Sequence, residues 1–254
     1  MSGDLVSVRM LALSASAPDG DLLRQGAALA AIPVYFTQVA TSAAARTALA
    51  GGNIDIALLD SATAEADMKE FYIAIRAARN SPAVVLVAST PEEAAELAAA
   101  GVGDTIAVKP AKLPDVKALI EGCMRLKVPS RALVVDDSST MRTIVRKILS
   151  NCRFPLEIAD AEDGIDALKQ IGADKFDFVF LDYNMPGLDG IEMLSQIKQQ
   201  YPRTEVVMMT SAQDEALAAR ARGAGALGFL KKPFYPSDID AVLYAFCGLR
   251  PPAS

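Results

Sequence analysis

Histidine is missing altogether from the 254 residues. Its absence excludes Ser-His-Asp and Cys-His nucleophilic catalysis, and it excludes a histidine-borne phosphoryl group within this chain. Cysteine is scarce. Cys123, Cys152 and Cys247 form no CxxC pair, and an odd number of thiols does not make a disulfide framework. They read as inert thiols in or near helices rather than redox sensors. No apolar run reaches the roughly 18 residues of a membrane-span candidate. The opening MSGDLVSVRM has neither the basic start nor the apolar stretch of a signal peptide. A soluble cytoplasmic protein with no membrane partner is therefore expected. Basic residues are also too few for a nucleic-acid partner, since the formal charge is −6. What the chain does have is apolar substance, 52% of its residues, and a length that suggests two domains.

The sequence repeats itself. IDIALLD (Ile54 to Asp60) and FDFVFLD (Phe176 to Asp182) are both apolar, strand-like runs ending in aspartate, 122 positions apart. The same offset lays RMLALSAS (Arg9 to Ser16) on RALVVDDS (Arg131 to Ser138). AVKP (Ala107 to Pro110) resembles LKKP (Leu230 to Pro233) at offset 123. Three matches in one order indicate duplication, with domains at 1–127 and 131–254. Val128-Pro129-Ser130 forms a short linker with a helix-breaking proline. The tail GLRPPAS reads as a frayed end.

Each half alternates strand and helix signals. In the second, strands are expected at Ala132–Val135, Leu156–Ala159, Phe176–Leu181, Glu205–Met209 and Ala226–Leu230. Between them lie helical patterns at Ser138–Leu149, Gly164–Ile171, Ile191–Gln200 and Asp214–Arg222, with a last helix from Pro236 to about Cys247. In the first half, Val8–Leu13, Val34–Val39, Ile54–Leu59, Val84–Val87 and Thr105–Val108 are the strand candidates, separated by alanine-rich segments. Strands alternating with helices give a parallel sheet covered on both faces.

In such a sheet the functional groups gather at the carboxyl ends of the strands. The second half places Asp136-Asp137, Asp182, Thr210-Ser211 and Lys231-Lys232 there. Three nearby aspartates repel one another when ionised, and a divalent cation with a preference for oxygen, such as Mg²⁺, resolves the conflict. An aspartate so placed can attack phosphorus, while a hydroxyl and an ammonium hold the remaining oxygens. Seen alone, Asp136-Asp137 could be a helix cap, Asp182 a turn residue, and Phe229 plain core. Lys231 reads as a solvated neighbour of Lys232, and Gly187 and Gly190 as turn glycines.

VVDDSSTMR, FLDYNMPGLDG, MMTSA and GFLKKPF together resemble the response-regulator receiver domain, over about Arg131 to Cys247. The resemblance implies two flavodoxin-like α/β domains in tandem, each a doubly wound five-stranded parallel sheet. It further implies that Asp182 is the phosphoacceptor, forming 4-aspartylphosphate. Mg²⁺ would be held by Asp136, Asp137, Asp182 and the main-chain carbonyl of Asn184, with Asp137 a direct ligand and Asp136 acting partly through water. Thr210 and Phe229 match the switch pair, and Lys232 the lysine before proline.

In the first half, Ser14-Ala15 stand where the acidic pair belongs. Asp60 occupies the acceptor position and Lys109-Pro110 keeps the lysine–proline step. Ala88 replaces the switch hydroxyl, although Ser89 and Thr90 follow, and SATAEADMK replaces the MPGLDG loop. This half reads as a degenerate receiver in which Asp60 and Lys109 form an ion pair rather than a Mg²⁺ site. Asp60 is either a leftover structural residue or an acceptor in its own right.

The expected function is that of a two-component response regulator in a phosphorelay, taking its phosphoryl group from a histidine kinase or histidine phosphotransfer protein. It is expected to catalyse only its own phosphorylation and dephosphorylation. It would signal to a downstream protein by contact or onward phosphotransfer, with no DNA-binding output domain. A homodimer is allowed, with either half supplying the interface. Two alternatives stand beside this reading: a Mg²⁺-dependent phosphatase or phosphotransferase with an aspartate nucleophile, and a scaffold that is never phosphorylated.

Overall fold

The computed structural model describes residues 7–51, 53–64, 72, 75, 81–101, 103–185, 188–211 and 215–252. The chain forms two compact units, one of Met1–Val128 together with Tyr244–Ser254, the other of Pro129–Leu243.

The first unit runs β1 (Val8–Leu13), α1 (Ala17–Ala28), β2 (Val34–Val39), α2 (Ser42–Ala50), β3 (Ile56–Asp60), α3 (Ser61–Ala64), β4 (Ala83–Ala88), α4 (Pro91–Ala99), β5 (Thr105–Val108) and α5 (Leu113–Met124). Its strands lie parallel in the order β2-β1-β3-β4-β5. The central strands β3 and β4 are buried at every position, as apolar runs without alternation require when helices cover both faces. Leu11, Leu59, Val84, Leu86 and Ile106 share one core cluster, and each such side chain contributes about 1.5–3 kcal/mol when fully buried. Ser16, Thr41 and Thr90 start α1, α2 and α4 by accepting main-chain N–H bonds from Asp19, Ala44 and Glu93. Thr90, two residues after Ala88, is thus committed to a helix cap.

The second unit repeats the plan with β6 (Ser130–Val135), α6 (Ser139–Leu149), β7 (Leu156–Ala161), α7 (Gly164–Ala173), β8 (Phe178–Asp182), β9 (Asn184–Met185), β10 (Leu188–Asp189), α8 (Gly190–Gln200), β11 (Glu205–Thr210), α9 (Glu215–Gly223) and β12 (Gly228–Lys231), followed by α10 (Pro236–Phe246). Its five long strands are parallel in the order β12-β11-β8-β6-β7. Numbered within the unit, this is the same 2-1-3-4-5 winding, whose switch point lies between the first and third strands. Leu133, Val179, Leu181, Met193, Ile197 and Met208 share its core.

Several elements differ from the sequence reading. β3 and β8 each extend to include their terminal aspartate, so Asp60 and Asp182 are the last residues of strands. β9 and β10 form a small antiparallel ladder, Asn184 opposite Asp189, that no periodicity announced. Ser130 belongs to β6 rather than to a linker and is buried. The tail is not frayed through its described part: Arg250 pairs with Ile106 in the first unit. Pro186, Gly187 and Asp214, and residues 65–69 of the segment after Asp60, lie outside the described residues.

Candidate functional site

Asp136 follows β6 directly, with only 1% of its surface exposed, while Asp137 faces solvent. The Ser138 main-chain N–H donates to Asp136 Oδ1 at 2.9 Å, and the Ser138 hydroxyl accepts from the Met141 N–H to cap α6. The acidic pair is therefore no cap itself. The capping sits one residue later and leaves both carboxylates for other use. Asp182 ends the central strand β8 and is 5% exposed. One ligand atom from each of Asp136, Asp137 and Asp182 lies within 4.8 Å of the others.

Lys232 follows β12, and its peptide bond to Pro233 is cis. Its ammonium bridges the two buried carboxylates, at 2.7 Å from Asp136 Oδ2 and 3.0 Å from Asp182 Oδ1. Burial opposes a charged lysine, yet the hydrogen bonds to Asp136 and Asp182 win and raise its pKa. For Asp182 the balance goes the other way. Burial, seconded by the charge of Asp136, outweighs the help of Lys232 and the Asn184 N–H and raises its pKa. One lysine shared between two carboxylates explains why both partners of this pair shift upward. A carboxyl with a raised folded pKa costs stability once ionised. That cost is absent below the ordinary value of 3.8 and is complete above the folded value.

The other expected residues lie on β11, β12 and β9. Thr210 ends β11 and is fully buried. Phe229, on β12, is half-buried and packs against the core cluster of the unit. The side chain of Asn184 is exposed. Gly190 is not a turn glycine but the first residue of α8. A Cβ there would lie 2.9 Å from Tyr183 Cα and 3.1 Å from the Asp182 carbonyl oxygen, so glycine lets α8 begin against the strand end that carries Asp182. Beside the carboxylates opens a groove of roughly 710 Å³, walled by Met141, Ile144 and Ile148 of α6 and by Phe234 and Tyr235. Sequence periodicity marked Met141, Ile144 and Ile148 as apolar positions of α6 but not as a groove wall.

The donor set suits a hard cation. All three candidate side chains offer oxygen, the acidic groups outnumber the one ammonium between them, and Asp137 reaches solvent where an ion could enter.

The corresponding place in the first unit is built differently. Lys109 Nζ lies 2.8 Å from Asp60 Oδ2 and 2.7 Å from Asp19 Oδ2. The Ser14 hydroxyl donates to Asp60 Oδ2 at 3.3 Å, and the Ala62 N–H to Asp60 Oδ1 at 3.2 Å. The sequence reading anticipated the ion pair and missed Asp19, which sits in the first turn of α1. A first-turn aspartate is common at helix N-termini, so nothing in the sequence marked this one as the partner of Lys109. Hydrogen bonding to Lys109 lowers the Asp19 pKa, and the Lys109 pKa rises although burial opposes it.

The family described as response regulator receiver domain matches residues 132–244. The chemotaxis protein CheY of Listeria monocytogenes is 36% identical over 115 residues, 45% of this chain and 93% of its own length. Chemotaxis protein CheY-3 of Vibrio cholerae is 38% identical over 115 residues, 44% of this chain and 88% of its own. A solved structure of a probable two-component system response regulator/GGDEF domain protein shares the fold over 94% of this chain and 99% of its own, with a TM-score of 0.51 at 23% identity. Among the described residues no helix is long and apolar enough to cross a membrane. Two parallel sheets of the same winding, one carrying three convergent aspartates and a lysine at its strand ends, together with these relatives, place the chain in the response-regulator receiver family.

Proposed function

We propose that the chain is a phosphorelay response regulator that accepts a phosphoryl group on Asp182. The donor would be the phosphohistidine of a histidine kinase or phosphotransfer protein. The observation that carries this reading is the convergence of Asp136, Asp137 and Asp182 on one point with Lys232 between two of them. A carboxylate oxygen of Asp182 forms the new P–O bond as the donor's P–N bond breaks and the imidazole leaves with the electron pair. Asp136, Asp137, Asp182 and the Asn184 carbonyl would hold Mg²⁺, which supplies positive charge against the phosphoryl oxygens. Lys232 already points its ammonium at Asp182 and donates to a phosphoryl oxygen once one is present. The Thr210 hydroxyl takes a second such oxygen, and Phe229 turns into the space it leaves, so that phosphorylation biases two pre-existing states. Output then proceeds by contact with a downstream protein or by onward transfer.

The phosphatase alternative needs a general acid two residues after the nucleophile. Asn184 occupies that place and cannot act as one. Asp60 is read as structural, its charge already taken by Lys109.

The test is labelling with acetyl phosphate and Mg²⁺, read by intact mass. The parent should gain one phosphoryl group, Asp182→Asn none, and Asp60→Asn one. Label persisting on Asp60 in Asp182→Asn would overturn the assignment.

A further inference from the structure

An edge strand presents a row of main-chain donors and acceptors that can template pairing with another chain. In the first unit β5 is such an edge, last in its sheet, and it is not left bare. The Ile106 N–H donates to the Arg250 carbonyl at 2.9 Å, and the Arg250 N–H donates back to the Ile106 carbonyl at 2.7 Å. This reciprocal pair is an antiparallel bridge. The Thr105 hydroxyl donates to the same Arg250 carbonyl at 2.8 Å. Thr105, Ile106 and Ala107 are all buried.

The residues that lead to Arg250 are embedded in the same unit. Tyr244, Cys247 and Leu249 are buried, and the Tyr244 hydroxyl donates to the Asp104 carbonyl at 3.4 Å. Gly122 of α5 lies so close to the Cys247 carbonyl that any Cβ there would overlap it. The Arg125 guanidinium stands 5.3 Å from the Phe246 ring. Gly248, at φ +66°, turns the chain out of its helix in the left-handed conformation that suits glycine. Burial pushes the Cys247 thiol up to about 11, so this segment is held by packing and strand pairing rather than by thiol chemistry.

We infer that the β5 edge of the first unit is a strand-acceptor site whose resident ligand is the chain's own segment Tyr244–Arg250, and that this segment keeps a second copy of the chain from pairing there. A second copy is the natural competitor, because its own bared β5 is an identical edge, and two such edges can pair antiparallel about a two-fold axis. Release would also uncover Ile106 and the seats of Tyr244 and Leu249, apolar surface that drives association.

The test uses the full chain with two variants. Leu249→Asp places a charge in a buried seat. Arg250→Pro, the milder one, deletes the N–H that Ile106 accepts together with an exposed guanidinium, and buries no charge. Amide exchange should accelerate about tenfold or more at Ile106 and its neighbours in β5 while β8 stays protected, as for local opening. Sedimentation velocity should show a concentration-dependent dimer that the parent lacks, and a synthetic peptide of residues 244–254 should restore both protection and monomer. Unchanged β5 protection in both variants would show that the segment is not the ligand. Protection lost without a dimer would show that the edge does not accept a second copy. If Leu249→Asp unfolds the chain, Arg250→Pro alone decides.

Discussion

Both units bring a lysine, one residue beyond the end of the fifth strand, to the aspartate that ends the third, yet the two ammonium groups have different tasks. In the first unit Lys109 is matched by Asp60 and Asp19, leaving one net negative charge in a pocket of roughly 20 Å³. That is about the space of a single water. In the second, Lys232 pairs with two of the three clustered aspartates, leaving two net negative charges at the side of an open groove. The substitution behind this contrast is small: Ser14-Ala15 against Asp136-Asp137. Without the acidic pair no three-carboxylate cluster forms, and Lys109 is shared between Asp60 and a carboxylate of α1, which leaves half the net charge of the second site. A receiver framework can thus keep its strand-end aspartate and its lysine without the cluster of three carboxylates that the second unit assembles.

The largest effect that would break this comparison is on divalent-ion binding. Titration calorimetry should find one Mg²⁺ site per chain, and Asp137→Ala should weaken it by more than about tenfold, the scale on which metal sites respond to loss of a supporting group. Grafting the acidic pair into the first unit, as Ser14→Asp with Ala15→Asp, should sharpen the comparison by adding a weak second site. Two sites in the parent, or full affinity in Asp137→Ala, would sink it. A smaller effect is expected on the response to phosphorylation. Thr210→Ala should accept phosphate with the parent's stoichiometry but lose most of the change in amide exchange along β11, β12 and α9 on adding a phosphoryl mimic. A parent-like response in that variant would remove Thr210 from the readout.

The smallest effect concerns Asp19. Its lowered pKa means that the Lys109 pairing stabilises the fold above the ordinary carboxylate value and that this contribution is lost as pH falls through the folded value. The side chains of Asp19 and Lys109 are 34% and 29% exposed, so solvent screens the pair. Asp19→Asn should cost no more than about 1 kcal/mol at neutral pH, and the difference from the parent should vanish in acid. Urea titrations at both conditions measure it, and a cost that persists in acid would mean that packing, not charge, is what Asp19 contributes.

The sequence disclosed strands and strand-end chemistry well because both are local. A buried parallel strand is a short apolar run, and the residue that ends or follows it is placed at the functional edge by the winding alone, as with Asp182, Asp136 and Lys232. What it hid depends on contacts between distant residues. Asp19 looked like any first-turn acid until Lys109 was seen beside it. Arg250 looked like part of a loose end because its partner, Ile106, lies far back along the chain. The β9–β10 ladder is two residues a side, too short for any period to register. Gly190 was legible as a glycine but not as the first residue of a helix set against the Asp182 carbonyl.

The Lys232 main-chain N–H donates to the Thr210 carbonyl at 2.7 Å, and in the first unit the Lys109 N–H holds the Ala88 carbonyl at the same distance. The fourth and fifth strands are thus riveted at the rim in both units, whether or not the side chains there still have a message to pass. In the second unit the rivet joins the backbones of the two residues assigned to grip the phosphoryl group. Neither backbone can travel far without the other, so the response proposed for Thr210 would be a rotation of its side chain rather than a parting of the two strands. The signal would then start as a turn of one hydroxyl rather than as a displacement of strands.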